Sequence, residues 1–194
     1  MERIGKSSSV VSYDRLDFIN KAHIARRLDD ANTRKEFISS IQGDFLDRYH
    51  NLMTPHAHEL LNDDKYFSQA VSYAQMRVNV MNQFPKYLFP MILQPDLSDP
   101  ESVKFKESVI SEQTRKTLEH IKRYLQGIFQ WEENTIKSKL GELAKIEDIR
   151  YAEIMKPLRF AATGSKIGID LPAILYLIGK NETLSRIERA IDTI

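Results

Sequence analysis

The chain has 194 residues, 28 Lys and Arg against 27 Asp and Glu for a formal charge of +1, 42% hydrophobic residues and no cysteine. That is apolar mass for one medium domain or two small ones, and it excludes a disulfide framework, a thiolate metal site and a cysteine nucleophile. No stretch approaches the roughly 20 consecutive apolar residues that cross a bilayer, and residues 1–10 lack a signal peptide's apolar core, so a cytoplasmic chain without membrane contact is expected.

Apolar residues recur at intervals of three and four rather than two, which predicts an all-α fold, a two-part helical bundle. Ser12 stands where an N-cap belongs, before Tyr13, Leu16, Phe18 and Ile19, and this helix runs through Ile24 to Leu28. Thr33 is the expected cap of the next, whose stripe is Phe37, Ile38, Ile41, Phe45, Tyr49 and Leu52. Thr54-Pro55 reads as an N-cap with proline at the first helical position, opening a short helix through Leu60 and Leu61. A longer helix is expected from Tyr66 to Met81, with Phe67, Ala70, Tyr73 and Ala74 on one face. The Phe84-Pro85 pair is expected to end or kink it, because proline disfavours the α conformation of its predecessor.

The run Pro95, Asp96, Ser98, Asp99 and Pro100 predicts a hinge between two helical halves, giving a leading segment 1–28, a first helical subdomain 29–96 and a second, 97–194. Beyond it, Leu118, Ile121, Leu125 and Ile128 mark one helix. Trp131, Ile136, Leu140, Leu143 and Ala144 mark another, with alternating Lys and Glu as its solvated face. Residues 156–165, Lys156-Pro157-Leu158-Arg159-Phe160-Ala161-Ala162-Thr163-Gly164-Ser165, read as a short non-helical loop. Asp170 then caps a helix containing Pro172 that runs through Ile174, Leu175 and Ile178 to a stop at Gly179. Asn181 caps the last helix, with Leu184, Ile187 and Ile191 inward and Arg186 and Arg189 outward.

Little points to a self-contained active site. Gly5-Lys6-Ser7 matches the tail of a phosphate-binding loop but lacks the earlier glycine and preceding strand. His56 and His58 are two apart on a helix and point away from each other, so no metal site is expected. No carboxylate spacing marks an acid/base couple, and no catalytic residue is assigned. Near-neutral charge excludes a broadly basic polyelectrolyte yet leaves local clusters able to bind phosphate. Two features fit a polyanion. One is Arg77, on or beside an apolar helix face, where the plain alternative is a snorkelling arginine. The other is the set Lys156, Arg159, Lys166, Lys180, Arg186 and Arg189 around a loop that leads to a helix N-terminus. Guanidinium forks bind phosphates and base edges, and a helix start offers free N–H donors. The Asp170 carboxylate argues against a phosphate at that point.

Three segments resemble bacterial glutamyl-tRNA synthetases. Lys156-Pro157-Leu158-Arg159-x-Ala161-x-Thr163-Gly164-Ser165, then Ile174-Leu175-x-Leu177-Ile178-Gly179-Lys180, then Leu184-x-Arg186-Ile187 is similar to their carboxyl-terminal signature, without gaps. Lys6-Ser7 with Arg15-Leu16-x-Phe18-Ile19-Asn20-x-x-His23-Ile24 is similar to the segment that closes their stem-contact region, with Phe18 where the family has Trp and Arg15 where it has Lys. Ala70 to Pro85, with Arg77 in register, resembles their first anticodon-binding helix. The resemblance implies an all-helical anticodon-binding cage of two subdomains behind a stem-contact remnant (1–28). The family's catalytic tetrapeptide and its Lys-Met-Ser-Lys-like loop are absent from the sequence, so the chain alone is expected not to adenylate glutamate. ATP and magnesium would belong to a catalytic domain elsewhere. Arg77 and Arg159 would contact anticodon bases. The backbone and side chains of Gly168, Ile169, Asp170 and Leu171 would cradle them, although Ile169-Asp170 stands where the family commonly has Pro-Gly. Lys166, Lys180 and Arg186 would support the site or touch phosphate. The implied partner is a glutamate-accepting tRNA, with no DNA, and a monomer is expected. The rival reading is a stand-alone helical interaction module derived from a synthetase, binding RNA or a protein without catalysis.

Overall fold

The computed structural model describes residues 12–109, 111 and 113–194, so Gly5-Lys6-Ser7 lies outside the described residues. Those residues form α-helices and short helical turns, with no strand among them. In chain order the helices are α1 (Tyr13–Asp29), α2 (Ala31–Tyr49), α3 (Pro55–Asn62), α4 (Asp64–Gln75), α5 (Phe84–Ile92), α6 (Pro100–Val109), α7 (Thr114–Gln126), α8 (Glu133–Ile146), α9 (Tyr151–Thr163) and α10 (Leu171–Thr193).

Caps and prolines set the boundaries. Thr54 caps α3 as expected, its hydroxyl accepting from the Ala57 N–H at 3.1 Å, with Pro55 inside the first turn. Asp30, not Thr33, caps α2: its carboxylate accepts from the Asn32 N–H at 2.9 Å, and Thr33 instead donates to the Arg27 carbonyl. Asp63 caps α4 by accepting from both Lys65 and Tyr66 N–H at 2.9 Å. The long helix expected over 66–81 stops at Gln75, followed by a turn closed by the Arg77 N–H on the Ala74 carbonyl. Phe84-Pro85 begins a helix rather than ending one, because a first-turn N–H has no intrahelical partner to lose.

A second correction concerns 156–165, which is mostly helix. Pro157 lies inside α9, where Ile154, Leu158, Phe160, Ala161 and Ala162 are all buried. Packing of that face outweighs the hydrogen bond that proline forfeits. The helix ends on Gly164, which takes the left-handed conformation (φ 63°) and returns its N–H to the Phe160 carbonyl. The expected stop at Gly179 is a break within α10 (φ 83°, ψ 167°), after which the helix resumes.

Two apolar clusters fill the interior. One gathers Phe37, Ile41, Phe45, Phe67, Val71, Phe84 and Leu88, and the other Leu118, Ile121, Leu125, Ile136, Leu140, Leu158 and Phe160. Helix α10 belongs to both, giving Ala173 and Ile174 to the first and Leu171, Leu175 and Ile187 to the second.

Arg186 locks this junction and corrects the expectation that it points outward. It is 2% exposed, and its guanidinium donates to the carbonyls of Pro90 (2.6 Å), Leu93 (3.2 Å) and Ala162 (2.8 Å), and to the Glu182 carboxylate (2.6 Å). Those carbonyls lie at or just past the C-terminal ends of α5 and α9, where helices leave carbonyls without intrahelical partners. One cation therefore caps two helix ends. Arg189, also expected outward, is half-buried, with Nε and Nη2 enclosed.

Candidate nucleic-acid interface

The exit of α9 builds the candidate site. Gly164 lies against α6, where the Ser102 hydroxyl donates to the Gly164 carbonyl at 2.9 Å, and a Cβ on residue 164 would stand 2.6 Å from that hydroxyl. Thr163 and Ser165 hold the following turn: the Ser165 N–H donates to Thr163 Oγ1 and the Ser165 hydroxyl to the Ile167 carbonyl. The chain then returns past Arg159, about one turn back from the end of α9. Arg159 Nη2 donates to the Ile169 carbonyl at 2.9 Å. Its Nη1 sits 3.1 Å from where a Cβ on Gly168 would be, buried and without a hydrogen-bond partner. Glycine at 168 leaves room for the guanidinium to approach the backbone closely.

Electrostatics place the remaining groups around it. Burial pushes the Arg159 guanidinium below its ordinary value, the Asp170 carboxylate opposes that shift, and the Arg77 guanidinium adds to it. Arg77 and Arg159 thus lie within electrostatic reach of each other although they come from different halves of the chain. Arg77 is exposed on the turn after α4. Burial and then the Asp170 charge raise the Tyr151 hydroxyl above its ordinary value. Tyr151 stands two turns before Arg159 on α9, so the helix stacks both on one side. Lys156 and Lys166 are exposed nearby in sequence. Gly168 and Ile169 also line a groove of about 380 Å³, together with Tyr49, Tyr87 and Phe89.

The expected site residues divide sharply. Arg159 lies against Gly168 and the Ile169 carbonyl, next to Asp170 in the chain, Arg77 is within range of the Arg159 charge, and Lys166 is exposed on the same loop. The side chains of Ile169 and Leu171 are 1% and 0% exposed and belong to the two cores, so they cannot cradle a base and only their backbone is near the site. Lys180 turns inward to donate to the Gln126 and Ile128 carbonyls, both at 2.7 Å, closing the end of α7 rather than meeting phosphate. Arg186 is engaged in the interior as described. Tyr151 was missed because its register with Arg159 exists only if 156–163 is helical. Among the described residues no group of His, Asp and Glu is placed to hold a metal ion, and no helix is long and apolar enough to cross a membrane.

Residues 48–191 match the family model described as an anticodon binding domain. The chain belongs to that family. This anticodon-binding domain is 26% identical over 192 residues to a glutamate–tRNA ligase of Chloroherpeton thalassium, covering 99% of the chain and 37% of that protein. It is 25% identical over 189 residues to a mitochondrial glutamate–tRNA ligase of Schizosaccharomyces pombe, covering 97% and 34%. A crystal structure of a glutamate tRNA ligase from Elizabethkingia meningosepticum in complex with its amino acid has the same fold over 97% of the chain and 34% of its own, with a TM-score of 0.72 at 19% identity. The chain spans about a third of the length of the relatives it matches.

Proposed function

We propose that this anticodon-binding domain serves a glutamate–tRNA ligase by recognising unpaired anticodon bases of a glutamate-accepting tRNA. Attachment of glutamate with ATP belongs, in this reading, to a catalytic region outside these residues. The observation that carries it is Arg159 held on the Ile169 carbonyl against Gly168, with the exposed Arg77 from the other half of the chain within range of its charge. Loop bases that are unstacked present edges to guanidinium forks and faces to apolar and aromatic side chains. The exposed Arg77 is the reader. Arg159, held on the Ile169 carbonyl with its other terminal nitrogen enclosed, shapes the loop and contributes positive charge to the site.

The test is salt-dependent binding of the chain to tRNA transcripts that differ only in the anticodon. Arg77→Ala is expected to lose discrimination among anticodons, a good bidentate base contact being worth about 1–3 kcal/mol. Lys166→Ala is expected to weaken all transcripts alike and to flatten the salt dependence, as a phosphate contact does. Parent binding that ignores the anticodon, or an Arg77→Ala variant that discriminates as the parent does, refutes the proposal.

A further inference from the structure

We propose that Tyr73 is a positioning residue of this interface: its hydrogen bond to Glu133 ties the end of α4 to the second half of the chain and so fixes where Arg77 stands. The inference rests on the RNA-binding reading above and adds to it a residue that acts without touching RNA.

The Arg77 backbone has little freedom relative to α4. Its N–H donates to the Ala74 carbonyl at 2.9 Å, and the flanking Ala74 and Val78 are both 0% exposed within the first core. Wherever the end of α4 moves, residue 77 moves with it. Arg159 belongs to the second half, on α9. The two guanidinium groups are like charges within range of each other, so their own interaction pushes them apart. Another contact must hold the two elements in register.

Tyr73 makes that contact. Its ring packs against the first core, and its hydroxyl reaches out to donate to Glu133 Oε2 at 2.9 Å, in the first turn of α8. The other side-chain hydrogen bonds donated from α4 among the described residues, Tyr66 to the Met91 carbonyl and Ser72 to the Ser68 carbonyl, stay within the first half. Burial and then the Glu133 carboxylate raise the Tyr73 hydroxyl above its ordinary value, so it keeps its proton and donates at neutral pH. The acceptor is anchored in turn. Trp131, two residues before Glu133, donates its indole N–H to the Leu175 carbonyl of α10 at 2.9 Å. Helices α4, α8 and α10 are thereby joined in series. Arg186 makes a comparable join at the ends of α5 and α9, but the Tyr73 bond is the one four residues from Arg77. A tyrosine has only two side-chain torsions, so a bond at its tip constrains the helix that carries it.

The test measures binding of the full chain to a glutamate-accepting tRNA transcript and to transcripts altered only in the anticodon. Tyr73→Phe keeps the ring in the core and removes the hydroxyl alone. It and Glu133→Ala are each expected to lower discrimination about three- to ten-fold, the scale of one intramolecular hydrogen bond. Affinity for the altered transcripts and its salt dependence should stay within about two-fold, because phosphate contacts carry them. Glu133→Gln, whose amide oxygen still accepts, is expected to keep most of the discrimination. Tyr73→Phe combined with Arg77→Ala should discriminate no worse than Arg77→Ala alone, since the tyrosine acts through the arginine. The melting temperature of Tyr73→Phe should fall by no more than about 4 °C, the loss of one half-exposed hydrogen bond. Unchanged discrimination in Tyr73→Phe, a uniform loss of affinity for every transcript, a Glu133→Gln variant no better than Glu133→Ala, an added loss in the double variant or a larger melting shift overturns the positioning role and leaves the RNA reading standing. A folded parent that binds no transcript, or binds all of them alike, overturns both.

Discussion

Replacing Arg186 by methionine keeps the length and apolar contact of the side chain and removes its donors. The carbonyls of Pro90, Leu93 and Ala162 lose their guanidinium partner, and Glu182 loses its counter-ion. A buried acceptor left unsatisfied costs about 1–3 kcal/mol, and breaking a buried charged pair about 3–5 kcal/mol. Two terms reduce the sum: the Glu182 side chain is 29% exposed and can rehydrate, and the variant no longer buries a cation whose charged form burial disfavours. A net loss of about 3–5 kcal/mol is expected, a large share of the roughly 5–15 kcal/mol that holds a domain of this kind together. At about 2–4 °C per kcal/mol, this lowers the melting temperature by roughly 6–20 °C. Urea unfolding followed by the fluorescence of Trp131 and by far-ultraviolet circular dichroism measures it. Trp131 is the single tryptophan, with its indole N–H on the Leu175 carbonyl of α10. Arg186→Lys should recover little, since an ammonium on a flexible stem cannot span three acceptors in fixed directions. A loss under about 1 kcal/mol would refute the capping role. Normal stability with weaker, less salt-dependent tRNA binding would return Arg186 to the phosphate contacts.

Gly164→Ala is expected to cost about 2–4 kcal/mol, from the left-handed backbone and from a Cβ driven 2.6 Å from Ser102 Oγ, and Ser102→Ala in the same chain should recover part of it. Unfolding curves of the three variants check this, and an unchanged midpoint for the single variant would show that the loop yields freely. Hydrogen bonds from Lys139 and Tyr124 hold the Glu142 carboxyl below its ordinary value. Its folded-state value is depressed, so its contribution is present at neutral pH and disappears as pH falls below about 4.5. Glu142→Gln should therefore lower stability slightly at pH 7 and narrow the gap to the parent in acid, and a gap that widens in acid contradicts the sign.

Much of the helical pattern is visible in the residues themselves. The Thr54-Pro55 start, the stripes of α7 and α8 and the break at Gly179 follow from local rules that here agree with the packing. The errors share one cause, namely that a local signal had two readings and a distant contact chose between them. Phe84-Pro85 suits a helix exit or a helix start, and Pro157 suits a loop or a helix whose apolar face is strongly buried. Asp30 and Thr33 are both good caps, and the chain uses the earlier one. Lys180 and Arg186 look solvated in a sequence because nothing there shows which helix ends leave carbonyls open. That Arg77 comes within range of the Arg159 charge is invisible to spacing arguments, since the two are 82 residues apart in the chain.

Helix α10 explains why such a site is sensitive to packing far from it. Its first residues follow Asp170, its early turns enter both cores, and Arg186 further along ties it to the ends of α5 and α9. Arg77 hangs from the first core through α4, whereas Arg159 and Asp170 belong to the α9–α10 corner. The separation of Arg77 from the α9–α10 corner is therefore set by how α10 seats between the cores, not by any one loop. Base recognition tolerates errors of about 0.5 Å in such a constellation. A substitution that tilts α10 without unfolding either half would move Arg77 away from Arg159 and leave Lys156 and Lys166 exposed. Discrimination would then fall before overall affinity for RNA does, and the order of those two losses distinguishes displacement of the site from loss of the fold.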